Sequence, residues 1–186
     1  MQGKTHWGSR MNQANSTSGT ANSLYTPEQR ARRDASPWTL VQGILAPLQF
    51  LVFLVSVVLV VNFLANGSGF GAATASVITK TFLLYAIMVT GAIWEKDVFG
   101  RYLFAPAFYW EDVVSMLVIA LHTAYLLSWM FDLFSPAGQM WIALAAYISY
   151  LVNAAQFLLK LSAARREAAP AQEEPAVMNS WQGAAE

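Results

Sequence analysis

The chain has 186 residues, of which 56% are hydrophobic and only 12% charged; it carries 11 basic and 11 acidic residues and no cysteine. A charged fraction about half that of soluble domains marks a membrane protein, and the even charge balance gives no electrostatic case for a nucleic-acid partner. Without cysteine there are no disulfides, no thiolate-held zinc or iron–sulfur cluster and no thiol nucleophile.

Residues 1–23 are rich in Asn, Ser, Thr and Gly and lack an apolar run, which predicts a disordered tail rather than a secretory signal. Thr26 followed by Pro27 makes a helix start and opens a short basic helix through Arg30, Arg32 and Arg33. The next segments predict an all-α, polytopic membrane domain over 24–164, a bundle of four transmembrane helices at about 40–64, 72–94, 113–134 and 140–161. In the first span Pro47 predicts a kink, and Gln42, Gln49 and Ser56 recur every seven residues on one inward face. Asn66 to Gly69 and Ser135 to Gly138 are short turns, and residues 165–186 form an Ala, Glu and Pro tail expected to be disordered.

The loop from Trp94 to Asp112 carries Glu95 and Asp97 at its start, Glu111 and Asp112 at its finish, and aromatic residues between, Trp110 among them. Aromatic rings suit a membrane surface, where they form a belt beside solvated acids at helix ends. Carboxyls held near hydrocarbon are poorly hydrated, which also makes them proton-donor candidates. Basic residues decide the orientation. Five precede the first span, Lys96 and Arg101 lie in this loop, and Lys160, Arg165 and Arg166 close the fourth span, so both termini and the loop are assigned to the cytoplasm.

Polar residues inside the spans need partners or roles. His122 lies about 14 Å into the third span, on one face with Glu111, Ser115, Tyr125 and Trp129, a stripe expected to line a cavity. It reads as a neutral imidazole satisfied by a neighbour, as a metal ligand or as an acid–base group. Ser149, Tyr150, Asn153 and Gln156 make a second stripe, with Gln49 at similar depth. Taken singly, Gln49, Asn153 and Gln156 read as interhelical hydrogen-bonding residues; together they outline a pocket. Lys80 is expected to snorkel outward or to pair with Asp132. No phosphate-binding loop, nucleophile elbow, zincin or dinucleotide fingerprint is present.

Four stretches, YTPEQRARRDASPWTLVQGILAPLQFLVFLVS, LLYAIMVTGAIWEK, YLFAPAFYWEDVVSMLVIALHTAYL and NAAQFLLKL, resemble the 3-vinyl bacteriochlorophyllide hydratase family over most of residues 25–161. The resemblance implies a hydro-lyase of bacteriochlorophyll synthesis that adds water to the 3-vinyl group of a chlorophyllide or bacteriochlorophyllide, giving the 3-(1-hydroxyethyl) product. It implies a bacterial inner or intracytoplasmic photosynthetic membrane, a tetrapyrrole substrate, the lipid bilayer and other bacteriochlorophyll-synthesis enzymes as company, and no cofactor beyond the magnesium carried in the substrate. It supplies no residue roles. By their positions, Glu111, Glu95 and His122 are the expected catalytic groups, with Glu111 the first choice as acid and Asp112 expected to stay ionised at the helix start. His122, Gln49, Tyr125, Asn153, Gln156 and Trp110 are the expected substrate contacts, with His122 also the candidate ligand to the substrate magnesium. His122→Ala should then weaken pigment binding or stop turnover, and Lys80→Met should be milder. The rival readings are a non-catalytic tetrapyrrole-binding assembly or carrier protein, needing His122 but no acid, and a small structural or transport subunit.

Overall fold

The computed structural model describes residues 24–168; the tails expected at 1–23 and after 168 lie outside them. Five helices and no strands make up these residues: α1 (Pro27–Ala35), α2 (Pro37–Asn66), α3 (Phe70–Phe99), α4 (Tyr109–Met130) and α5 (Pro136–Ala168). The last four are long and apolar enough to cross a membrane. Each closes its own backbone hydrogen bonds, the condition for a chain segment to sit in hydrocarbon.

Local chemistry sets the boundaries. Thr26 and Gln29 cap α1 reciprocally, Gln29 N–H donating to Thr26 Oγ1 at 3.2 Å and Thr26 N–H to Gln29 Oε1 at 2.9 Å. α2 continues through Pro47 and ends at Gly67, whose φ of 69° turns its amide onto the Phe63 carbonyl at 2.8 Å. α3 runs past the expected end at 94, because Glu95 to Phe99 remain helical until Gly100 stops them at φ 80°. α4 is shifted toward the N-terminus relative to the expected 113–134: it starts at Tyr109 and stops at Met130, where the chain turns through Asp132 at φ 49°. α5 extends through residues 165–168, so Arg165 and Arg166, expected in a tail, are helical.

α2 packs along α3 and α4 along α5; α2 also meets α5, whereas α3 and α4 touch in few places. The core holds Phe53, Val60, Val77, Leu84, Val118 and Tyr147. Leu51, Val55, Val58, Phe82, Val89 and Leu158 point outward and are exposed. So much apolar surface matches hydrocarbon rather than water. At one end α1 docks on α3: Ser36 Oγ donates to Asp97 Oδ2 at 2.9 Å, Trp94 Nε1 to Thr39 Oγ1 at 2.9 Å, and Tyr25 stacks on Phe99 with centroids 5.8 Å apart.

Candidate active site

The first turn of α4 places Glu111 and Asp112 on neighbouring sides of one helix, about 100° apart, and both are buried. They meet different partners. Glu111 Oε2 accepts from Lys160 Nζ of α5 at 2.6 Å, an ion pair whose ammonium also lies 5.0 Å from the Phe108 ring centroid. Asp112 faces α3, where its carboxyl and that of Glu95 come within hydrogen-bonding reach of each other. Two carboxyls hydrogen-bond only when one keeps its proton, since an ionised carboxylate offers acceptors alone.

The α3–α4 connection closes over this pair. Phe104 adopts φ 59°, a left-handed conformation that residues other than glycine seldom take. That turn aims two successive amides at the acids: Phe104 N–H reaches Asp112 Oδ2 at 2.7 Å and Ala105 N–H reaches Glu95 Oε2 at 3.3 Å. Beside it, Phe108 packs on Trp94, Phe99 and Phe157, which walls the acids off from water. On the outer side Phe104, Tyr109 and Trp110 form an exposed aromatic edge, with centroid spacings of 5.7 and 5.5 Å.

One turn further along α4, Ser115 Oγ accepts from Asn153 Nδ2 of α5 at 2.9 Å. Asn153 Oδ1, Gln49 Nε2 and Gln156 Oε1 have no protein partner in this layer, although Gln49 and Asn153 are only 3% and 8% exposed. Gln42 is engaged elsewhere, donating to Thr90 Oγ1 at 2.7 Å, and Ser56 bonds Ser76 at 2.7 Å and Tyr147.

His122 lies eleven residues beyond Glu111, about 16 Å along the axis, and is fully buried. Its Nδ1 meets the Val118 carbonyl at 2.8 Å, so that nitrogen is the donor, and its Nε2 accepts from Lys80 Nζ at 2.8 Å. With both ring nitrogens engaged, the imidazole presents no lone pair to a magnesium in this arrangement. Lys80 neither snorkels nor pairs with Asp132, which is exposed; its ammonium lies 3.9 Å from the Tyr150 ring centroid, fully buried. The reason is reach: Lys80 is ten residues from the start of α3, about 15 Å, too far for a four-carbon stem. Tyr125 lies deeper still, buried beside Thr74, while Trp129 is exposed.

The expected site residues therefore divide by depth. Glu95 and Glu111 share the loop end with exposed Trp110; Gln49, Asn153 and Gln156 form the layer beneath; His122 and Tyr125 belong to a closed midplane cluster. Sequence reasoning missed Lys160 as partner of Glu111, the loop amides of Phe104 and Ala105, and Lys80 as partner of His122. Only the last had a signal, the depth of a lysine within an apolar run. Among the described residues no three His, Cys, Asp or Glu side chains gather to hold a metal ion.

No solved structure matches the chain. The family described as 2-vinyl bacteriochlorophyllide hydratase (BCHF) matches residues 25–163. A protein of that name from Cereibacter sphaeroides is 68% identical over 150 residues, covering 80% of this chain and 92% of that protein. Another, from Rhodobacter capsulatus, is 68% identical over 147 residues, 78% of this chain and 85% of that one. The position numbered 2 in these names and 3 in the tetrapyrrole numbering used above is the same ring vinyl group. With the family matched across all four spans and the acid-bearing loop, the chain belongs to the 2-vinyl bacteriochlorophyllide hydratase family.

Proposed function

We propose that the Glu95–Asp112 pair is the proton donor with which this enzyme hydrates the vinyl group of a chlorophyllide-type tetrapyrrole. The observation that carries this reading is the pair itself, two buried carboxyls against each other under two loop amides. A vinyl group is a weak base, so its terminal carbon takes a proton only from a donor that still holds one near neutral pH. A shared carboxyl proton meets that need, and the loop amides stabilise the carboxylate left behind. The cation forms on the adjacent carbon, in conjugation with the macrocycle, and water adds there. The step is redox-neutral and calls for no cofactor beyond the substrate's own magnesium.

Glu111, already ion-paired with Lys160, acts as an acceptor and anchors α4 to α5. The macrocycle enters from the membrane edge along the sparsely packed α3–α4 seam, its face against Tyr109 and Trp110 and its vinyl edge beneath the acids. His122 serves the bundle at a distance from this chemistry. The same end of the bundle carries Arg30, Arg32, Arg33, Lys96, Arg101, Lys160, Arg165 and Arg166, which supports an orientation with both termini and this loop cytoplasmic, in a bacterial inner or intracytoplasmic membrane.

Glu95→Gln and Asp112→Asn should each lower hydration by about 10²–10⁴-fold and leave vinyl pigment unconverted, whereas Glu111→Gln retains the larger part of activity. Pigment analysis after incubation of membranes with 3-vinyl chlorophyllide checks this. In heavy water the new methyl group should carry deuterium. Near-wild-type hydration by both pair variants would remove the pair from the reaction.

A further inference from the structure

The reaction needs a water held on the second vinyl carbon while the first is protonated, and the layer beneath the acids contains buried polar atoms with nothing to bond. We infer that Gln49 and Asn153 hold the attacking water, a reading that rests on the hydratase chemistry above. Gln49 Nε2 is an unpartnered donor and Asn153 Oδ1 an unpartnered acceptor, and such buried groups in native proteins are satisfied by a ligand or an ordered water. The two helices bring them to one level. Phe53 of α2 packs on Tyr150 of α5 with centroids 5.0 Å apart. α2 and α5 run in opposite directions, so Gln49, one turn before Phe53, and Asn153, three residues after Tyr150, both lie on the acid side of that contact.

Asn153 is held from behind. Its Nδ2 donates to Ser115 Oγ at 2.9 Å, which leaves Oδ1 for the layer. Ser115 is three residues from Asp112, an axial step of about 4.5 Å. That spacing suits the substrate: a donor near the terminal vinyl carbon and a water near its neighbour, each about 3 Å from its target, fall roughly one helical turn apart. The atoms balance. The carboxyl proton forms the new C–H bond on the terminal carbon, the water oxygen forms the C–O bond on the adjacent carbon, and the water's surplus proton returns to the carboxylate pair. Gln156 Oε1, one turn further along α5 toward Lys160, is an unpartnered acceptor on that return side. Gln49 and Asn153 are thus positioning residues for water, with no part in protonation.

Protonation without capture has its own signature, because the cation can lose a proton and revert to vinyl. In heavy water, a reversal that removes one of the two original hydrogens rather than the added deuteron leaves deuterium on the terminal carbon of recovered substrate, so the ratio of vinyl deuteration to alcohol formation reports how well water is held. Gln49→Met and Asn153→Leu keep the side-chain size and remove the donor and the acceptor on two different helices. Initial-rate incubations of membranes with 3-vinyl chlorophyllide in heavy water should show little vinyl deuteration for wild type. Each variant should form alcohol tenfold or more slowly, with the deuteration-to-alcohol ratio raised tenfold or more; either variant that keeps wild-type helix content suffices. Slower hydration at an unchanged ratio, or hydration at the wild-type rate, would overturn the water site and leave the acid assignment standing. Wild-type membranes that form neither alcohol nor deuterated vinyl would instead sink the hydratase reading itself.

Discussion

Lys80 and His122 show how a single pair changes the meaning of two residues. An amine able to reach the interface would make Lys80→Met harmless, but here Lys80 Nζ is, among the described residues, the side-chain partner of His122 Nε2, at 2.8 Å and out of reach of solvent. Removing either side chain leaves the other's polar atom buried and unsatisfied, a cost of about 1–3 kcal/mol. Lys80→Met and His122→Leu should therefore each destabilise the detergent-solubilised protein by about that amount, and the double variant by less than their sum. Reversible unfolding of the three variants checks this. Additive losses would show that the two side chains do not depend on each other.

The α3–α4 connection works as an element because its backbone, rather than its side chains, meets the acids. The left-handed turn at Phe104 costs about 1–2 kcal/mol for an L residue, and the rest of the loop holds it there. Glycine adopts that conformation freely, whereas a β-branched residue resists it. Phe104→Gly should keep hydration within about threefold of wild type, and Phe104→Val should lower it by about tenfold or more through displaced amides. Parallel assays of turnover and thermal stability test the pair. Full activity in Phe104→Val would mean that the two loop amides do not matter to the donor.

At the scale of the whole molecule, charge and packing are divided between the two ends of the bundle. Among the described residues every Lys and Arg except Lys80 lies at the end that bears the acids, and the turn at Gly67 has none. The orientation proposed above, from the positive-inside tendency, has the C-terminus and the loop from Gly100 to Phe108 in the cytoplasm and Gly67 outside. Reporter fusions after the last helix and within the Gly67 turn should read cytoplasmic and external respectively. The opposite pattern would invert the bundle and put the acid pair at the outer surface.

Four spans, an all-helical bundle and inward polar stripes were legible in the chain alone, because hydropathy and a 3.6-residue period are properties of consecutive residues. Of the stripe Glu111, Ser115, His122, Tyr125 and Trp129, the first four are buried as the spacing predicts and Trp129 is exposed, and the resemblance in those same segments named the reaction. Which helix stands opposite a given face is a different kind of information. Glu111 and Asp112 are adjacent in the chain, and nothing local says that one turns to Lys160 of α5 and the other to Glu95 of α3. Likewise Lys80 and His122, 42 residues apart, meet only because α3 and α4 cross at that depth. Periodicity specifies which side chains share a face; the identity of their partners, and with it the choice between a fixed anion and a proton donor, is decided by how the helices pack.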